Sequence, residues 1–436
     1  MDSFTVEGGR PLKGSVCIRG AKNAFSKIMI ASLLTRDDVV LSNCPNTLEM
    51  EIVTELLVGI GAKVKFKNGT VIVNARRLHN FRVHRLSRKN RLPILALSPL
   101  LHRMGRAEVP YVGGDKIGAR PVDFHLALLR KMGARIQTKK DSYVAQAKKL
   151  KGTNIVLPYP SVGATETAIL AAVLAKGKTT IHNAAGEPEV VDLISFLQKM
   201  GALIELDFNR VIRIEGVEKL HGAEHQIIPD RLEAAAFGVL AVATKGNILV
   251  ERAEEKHLIT FLNALRKVGG EYRVEKKGIR FFRTGNLKPY SIETNPHPGF
   301  MTDWQQPFSV LLMLAKGTSS VHETVFEDRF GYVQEFKRLG ANITVLDTCV
   351  GTKCRFFGKH YPHSIVIKGP TRLRGASFEI PDIRAGLAHL VAALTARGTS
   401  VVSGIEHLDR GYEKIDARLK KLGARIKRIR TPGLRT

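Results

Sequence analysis

The chain has 436 residues, 44% hydrophobic and 25% charged, a composition that suits two or three globular domains and excludes general disorder, a collagen-like fibre and a disulfide-stapled miniprotein. Its 68 Lys and Arg against 40 Asp and Glu leave a net charge of +28, which favours anionic partners. No run of about 18 apolar residues offers a membrane span, and the start MDSFTVEGGR lacks the basic-then-apolar pattern of an export signal, so a soluble cytoplasmic protein is expected.

In chain order, six apolar stretches too continuous for surface helices occur at 24–34, 94–101, 167–175, 235–244, 308–315 and 387–395, and each is predicted to be a buried helix. Most are followed by a glycine turn and a β-branched strand, as in AKGKTTIHN, TKGNILVER, AKGTSSVHE and ARGTSVVSG. Beyond each strand comes a second, amphipathic helix, clearest at 412–422, where Ile415, Leu419 and Leu422 share one face. A glycine then closes that helix: Gly61, Gly133, Gly201, Gly269, Gly340 and Gly423, spaced 72, 68, 68, 71 and 83 residues apart. A left-handed cap is the expected role of all six. Three units before residue 228 and three after it predict an α/β fold of two similar domains with internal threefold pseudosymmetry, and the cleft between them is the default ligand site. Gly177, Lys178 and Thr179 imitate the end of a phosphate-binding loop, but Ala172 stands where the first glycine should be, and the same turn recurs at Gly317.

Residues that break the repeat are the functional candidates. RGAKNAF at 19–25 sets Lys22 and Asn23 at a helix start, where free backbone N–H groups suit an anion. RKNR at 88–91 carries Arg91. GGDKIGARPVDFH at 113–125 is a glycine-flanked loop with Asp115, Lys116, Arg120 and Asp123, and such flanks suit a mobile lid. PHPGFMTDWQQPF at 296–308 places Asp303 just before a buried helix. Arg329, Asp382, Arg384 and Arg410 stand at other unit edges. Individually, Lys22 also reads as a surface lysine, Asp303 as a helix cap and Asp115 as a turn residue. Together they are the inventory for holding an anionic substrate and moving protons around it.

Two basic segments, 82–106 and 418–435, carry seven and eight Lys or Arg and no acid. Neither interleaves the aromatics that stack bases, and no helix-turn-helix, zinc-finger or RNA-recognition signature is present, which argues against specific nucleic-acid binding. Of the four cysteines, Cys17, Cys44, Cys349 and Cys354, the one close pair is spaced CVGTKC rather than C-x-x-C, so a reduced, metal-free protein is the default.

Taken together, KNA, GG-x-x-IG-x-RPVD-x-H, PSVGATET at 160–167, PDR-x-E, TD-x-Q, ETVFE-x-RF and HLDRGYEKI closely resemble the UDP-N-acetylglucosamine enolpyruvyl transferase family over nearly the whole chain. The resemblance implies two inside-out α/β barrels, one of residues 22–227 and one of 1–21 plus 228–436. It also implies transfer of the enolpyruvyl group of phosphoenolpyruvate to the 3-hydroxyl of UDP-N-acetylglucosamine with release of phosphate, the first committed step of peptidoglycan synthesis, without metal or cofactor. Carried over by motif, Lys22, Arg120 and Arg410 hold phosphoenolpyruvate, with Arg91 and Arg384 beside it. Arg120, Pro121, Val122, Asp123 and Phe124, with Ser161, Val162 and Gly163, hold the uridine diphosphate. Asn23, Asp303 and Val325 contact the sugar, Asp303 takes the hydroxyl proton, and Arg329 and Asp382 belong to the same substrate-binding set.

One departure bears on chemistry. Most of that family carry cysteine where Asp115 stands, as proton donor and as the residue that the epoxide fosfomycin alkylates. Asp115 as donor must be protonated, although a free Asp titrates near 3.9, and fosfomycin insensitivity is the matching expectation. Three other readings compete: the shikimate-pathway enolpyruvyl transferase, against which the RPVD-x-H loop argues; a relative acting on another uridine nucleotide; and a non-catalytic or RNA-binding derivative.

Overall fold

The computed structural model describes residues 2–84, 86, 87, 90–113, 118, 121–207 and 209–430, with 383 and 384 as backbone only. Two compact units emerge, one from Met1–Arg19 and Pro229–Thr436, the other from Gly20–Gly114 and Arg120–Ile228. The described residues form six sheets, three in each unit, all built to one plan.

The plan is plain in the sheet containing Lys178–His182. That strand pairs in parallel with Asn154–Val156 and antiparallel with Val211–Glu215, which pairs in turn with Leu203–Asp207. The parallel pair is joined by the helix Val162–Ala172, and the antiparallel edge is a hairpin. Four other sheets repeat the order of one parallel and two antiparallel pairings. In the sixth, Arg106–Pro110 with Ser142–Gln146 and Arg135–Thr138, the parallel partner shrinks to one bridge from Arg82 to Glu108. The N-terminal strand Ser3–Gly8 sits between Gly398–Ser403 and Arg425–Ile429, so the chain's first residues complete the sheet of its last repeat.

The continuous apolar stretches do form buried helices: Lys22–Ala31, Leu97–Met104 with the 3-10 turn Leu92–Ala96, Val162–Ala172, Arg231–Ala243, Gln305–Leu314 and Ile383–Thr395. All thirteen residues of Arg231–Ala243 are buried. It packs on Gln305–Leu314 and Ile383–Thr395, and each of these packs on the other, which gives one unit a core of three mutually touching helices. Sheets cover each unit's core with alternating strands. In Val211–Glu215 of the other unit, for example, Ile212 and Ile214 are buried and Arg213 and Glu215 exposed.

The six signature glycines share one conformation, with φ between 93° and 105°. A side chain at such φ is strained, so the repeated glycine is the left-handed cap the pattern predicts. The last amphipathic helix differs from expectation. It spans Ile415–Lys421, because a separate helix, Glu406–Gly411, ends before it, and Tyr412, extended, buries its ring in the core. No helix among the described residues is long and apolar enough to cross a membrane.

The PDR-x-E motif proves structural. Asp230 caps Arg231–Ala243 by accepting from the N–H groups of Leu232 (2.7 Å) and Glu233 (3.3 Å). Glu233, 2% exposed, takes both guanidinium arms of Arg418 at 2.8 and 2.7 Å, while Arg418 also donates to the carbonyl of Cys17 at 3.0 Å. This ties the last repeat to the first strand of the sheet beside it. Arg418→Met takes this bidentate cation away from the buried Glu233 and is expected to cost about 3–5 kcal/mol, read as a lower urea midpoint.

Candidate active site

In the unit containing Gly20–Gly114, Lys22 opens the helix Lys22–Ala31 behind Ala21, which offers no capping side chain. Lys22 is 7% exposed, so its ammonium lies where water screens it poorly and where an anionic group is favoured beside it. Asn23 follows, half-buried.

Arg91 stands just before the turn Leu92–Ala96. Its guanidinium donates to the carbonyl of Pro121 at 3.4 Å, and burial pulls its pKa below the usual arginine value. Asn90, which motif reading passed over, fixes this corner. Its side chain donates to Glu49 (3.0 Å) and accepts from the N–H of Leu92 (2.7 Å), while its carbonyl accepts from the N–H of Gly113 (3.0 Å). Asn90 therefore anchors both Arg91 and the root of the glycine-flanked loop. Within that loop, Asp115, Lys116 and Arg120 lie outside the described residues.

The loop's far side leads into the helix Asp123–Lys131, with Pro121 exposed, Val122 buried, Asp123 exposed in the first turn and Phe124 half-buried. Its neighbour Val162–Ala172 starts at Ser161, whose hydroxyl accepts from the N–H of Ala164 at 3.4 Å. His125 joins the two. Its Nδ1 lies 2.7 Å from the Thr167 hydroxyl, and a Cβ on Gly163 would stand 3.0 Å from its Cε1, so a side chain there would crowd the ring. The structure thus brings Pro121–Phe124 and Ser161–Gly163 together as two adjoining helix starts, whose backbone N–H groups suit a diphosphate. One turn on, Glu166 is fully buried, and burial pushes its carboxyl up to about 7 against the pull of Lys27.

The other unit carries Asp303 in the 3-10 turn Thr302–Trp304, before Gln305–Leu314. Asp303 and Arg329 form an ion pair of 2.9 Å, with side chains only 2% and 1% exposed. Arg329 also donates to the Thr302 carbonyl at 3.4 Å. Glu323, not singled out from sequence except within ETVFE, holds this corner. It accepts from the Thr302 hydroxyl (2.7 Å), the Gln305 amide, and the N–H groups of Val325 (2.7 Å) and Phe326 (2.9 Å). Burial pushes Glu323 above the usual carboxylate range, against the pull of Arg329. Val325 and Arg329 therefore come from one segment pinned to the turn that bears Asp303.

Asp382 accepts from the N–H of Ala385 at 2.9 Å at the start of Ile383–Thr395, and the side chain of Arg384 lies outside the described set. Arg410 sits half-buried on Glu406–Gly411, a helix anchored by Asp409, which takes both arms of Arg428 at 2.9 and 2.6 Å.

His125 makes the stability pH-dependent. Burial, aided by Arg91, lowers its pKa from 6.5 to about 3, so the unfolded chain takes up the proton first. Its contribution is complete above pH 6.5 and is lost as pH falls toward 3; the raised Glu166 acts oppositely, losing its contribution as pH rises through about 7. His125→Gln is expected to flatten the acid side of the stability profile by roughly 2–3 kcal/mol between pH 7 and 4.5, measured as urea midpoints of variant against parent.

The family model described as EPSP synthase (3-phosphoshikimate 1-carboxyvinyltransferase) matches residues 6–419. A UDP-N-acetylglucosamine 1-carboxyvinyltransferase of Protochlamydia amoebophila is 48% identical over 423 residues, covering 94% of this chain and 91% of that one. The enzyme of the same name from Chlamydia muridarum is 45% identical, covering 94% and 95%. Among solved structures, the enolpyruvyl transferase NikO from Streptomyces tendae superposes with a TM-score of 0.85 at 23% identity, covering 99% of each chain. An EPSP synthase from Acinetobacter baumannii gives 0.75 at 18% identity, covering 98% of this chain and 100% of that one. The repeated α/β architecture expected from the sequence is the fold of these proteins. On the strength of both the motifs and the match along nearly its whole length, this chain belongs to the UDP-N-acetylglucosamine 1-carboxyvinyltransferases, within the EPSP synthase family.

Proposed function

We propose that this protein transfers the enolpyruvyl group of phosphoenolpyruvate to the 3-hydroxyl of UDP-N-acetylglucosamine and releases phosphate, in the bacterial cytoplasm, as the first committed step of peptidoglycan synthesis. The observation that carries this reading is the 44–48% identity, over 94% of the chain, to enzymes named for that activity. The buried Asp303–Arg329 pair and the buried Lys22 supply matching chemistry.

In this reading Asp303, held as a carboxylate by the guanidinium of Arg329, takes the proton of the 3-hydroxyl as its oxygen bonds to the central carbon of phosphoenolpyruvate. Asp115 gives a proton to the methylene carbon, which becomes a methyl group. The tetrahedral intermediate then returns a methyl proton to the carboxylate left on Asp115, its carbon–oxygen bond to phosphate breaks with phosphate leaving, and the enol ether is left on the sugar. Lys22, Arg120 and Arg410, with Arg91 and Arg384, offset the phosphate and carboxylate charge through both steps. Asn23 and Val325 contact the sugar. Asp123 and its neighbours, with Ser161–Gly163, hold the uridine diphosphate at their helix starts.

Phosphate release from phosphoenolpyruvate tests the assignment, with UDP-N-acetylglucosamine, uridine monophosphate or shikimate 3-phosphate as acceptor. Turnover is expected with the first alone; turnover only with another acceptor, or with none, overturns it. Asp303→Asn is expected to lower kcat about 10²–10⁴-fold with the fold intact by circular dichroism.

Asp115 in place of the usual cysteine further implies poor inactivation by fosfomycin, because a carboxylate is a far weaker nucleophile toward an epoxide than a thiolate. Activity is expected to survive preincubation with the drug, whereas stoichiometric alkylation of Asp115 seen by mass spectrometry would refute this. Asp115→Asn is expected to depress turnover, and unchanged turnover removes Asp115 as the donor.

A further inference from the structure

Cys349 and Cys354 do not stand alone in the fold. Residues 347–363 leave the sheet after Asn342–Leu346 and return at Ser364–Gly369 with no helix or strand of their own, a long irregular excursion that needs something to tie it down. At its root, the ligand atoms of His322, Cys349, Cys354 and His363 all lie within 4.8 Å of one another. The Cys349 and Cys354 sulfurs are 3.6 Å apart, and Cys349 Sγ is 3.3 Å from His363 Nε2. A sulfur separation of 3.6 Å is far beyond a disulfide bond. A tetrahedral zinc with two sulfurs and two imidazoles requires separations of roughly 3.3–3.8 Å.

The hydrogen bonds around the four residues orient both rings for a metal. His363 Nδ1 lies 2.6 Å from the Tyr361 carbonyl, which can only accept, so Nδ1 carries the proton and Nε2 presents its lone pair toward Cys349. His322 Nδ1 lies 2.9 Å from the Glu293 carboxylate, while its buried Nε2 has no hydrogen-bonding partner. Both histidines are at most 2% exposed. A carboxylate or carbonyl behind each imidazole is the outer shell that metal-bound histidines ordinarily have. The N–H of Phe356 points at Cys354 Sγ from 3.4 Å, as suits a thiolate. Glu293 also takes the Thr352 hydroxyl (3.0 Å) and N–H (3.2 Å), and a Cβ on Gly351 would stand 2.5 Å from its carboxylate, so the glycine of CVGTKC allows the turn to close on the site.

We propose that His322, Cys349, Cys354 and His363 bind one structural zinc ion. The two thiols release their protons on binding, so a dication, two thiolates and two neutral imidazoles sum to zero charge, an arrangement that tolerates burial. Two thiolates and two imidazoles with no place left for water make a closed tetrahedral set, which favours zinc and a structural role. His322 directly precedes Glu323, and the excursion reaches the same segment again through Arg355 and Glu327 at 3.2 Å. The ion therefore secures the base of the segment bearing Val325 and Arg329. This replaces the metal-free reading of the cysteine spacing: CVGTKC has four intervening residues, within the range zinc sites use, and its histidine partners come from elsewhere in the chain.

Purified full-length protein, dialysed against metal-free buffer, is expected to retain one equivalent of zinc by mass spectrometry, bound at the four residues named. Cobalt substitution is expected to give thiolate charge-transfer and intense tetrahedral d–d bands. Cys349→Ser with Cys354→Ser is expected to abolish both signals. Should that variant fail to fold, Glu293→Gln keeps all four ligands and is expected to weaken zinc affinity about 10–100-fold by chelator competition, with the parent's circular dichroism. Absence of stoichiometric metal even after growth and refolding with zinc, a different metal in its place, a Cys349–Cys354 disulfide in the peptide map, or zinc unaffected by either variant would each overturn the proposal.

Discussion

A helix buried on every side constrains everything around it. It has no polar face, so it must be apolar throughout and covered by sheet, and its only unmet polar groups are at its ends. Each unit has three helices that approach this limit, Arg231–Ala243 reaching it, and several of the candidate residues stand at their starts. Lys22 opens one buried helix, Ser161 caps another, and Asp303 lies in the turn before a third. Asp230 and Asp382 occupy the corresponding edges of two more. The same architectural position therefore serves capping in one repeat and candidate chemistry in the next.

The buried carboxylates show how these roles diverge. Asp230 and Glu233 are used up by helix amides and by Arg418, and Glu323 by two backbone N–H groups and two side chains. Such groups shape the scaffold. Asp303 pairs with Arg329, a cation that favours its charged form. Loss of Glu323 would be felt through Asp303, because the same carboxylate fixes Thr302 and the segment leading to Arg329.

Part of the strong positive charge has structural work. Arg103 donates to the carbonyls of Leu33, Thr35 and Ala75 at 2.6–2.7 Å, Arg106 lies over the Phe81 ring, and Arg82 pairs with Glu108. In the C-terminal segment Arg418, Arg425 and Arg428 pair with Glu233, Glu7 and Asp409. The C-terminal stretch thus finds acids far back in the chain, at Glu7 and Glu233, while Arg82 meets Glu108 just past the end of its own stretch. The exposed pairs among them add little stability in water.

By itself the sequence determined the repeats, the six buried helices, the glycine caps and the motifs that identify the family, because all of these are written in local spacing: continuous apolar runs, a glycine after an amphipathic helix, a short motif at a helix start. It placed Lys22 and Asp303 at those starts for the same reason, whereas the helix that Ser161 caps begins several residues before the apolar run that announced it. The corner at Asn90, the hub at Glu323, the histidine linking Asp123–Lys131 to Val162–Ala172, and the gathering of Glu293, His322, Cys349, Cys354 and His363 were decided only in three dimensions. Each of these clusters draws at least one partner from a separate stretch of chain, and no periodicity connects them. A hydrogen bond or metal-ligand set depends on distances of about 3 Å between side chains, and those distances exist only once the sheets have brought separate repeats into register.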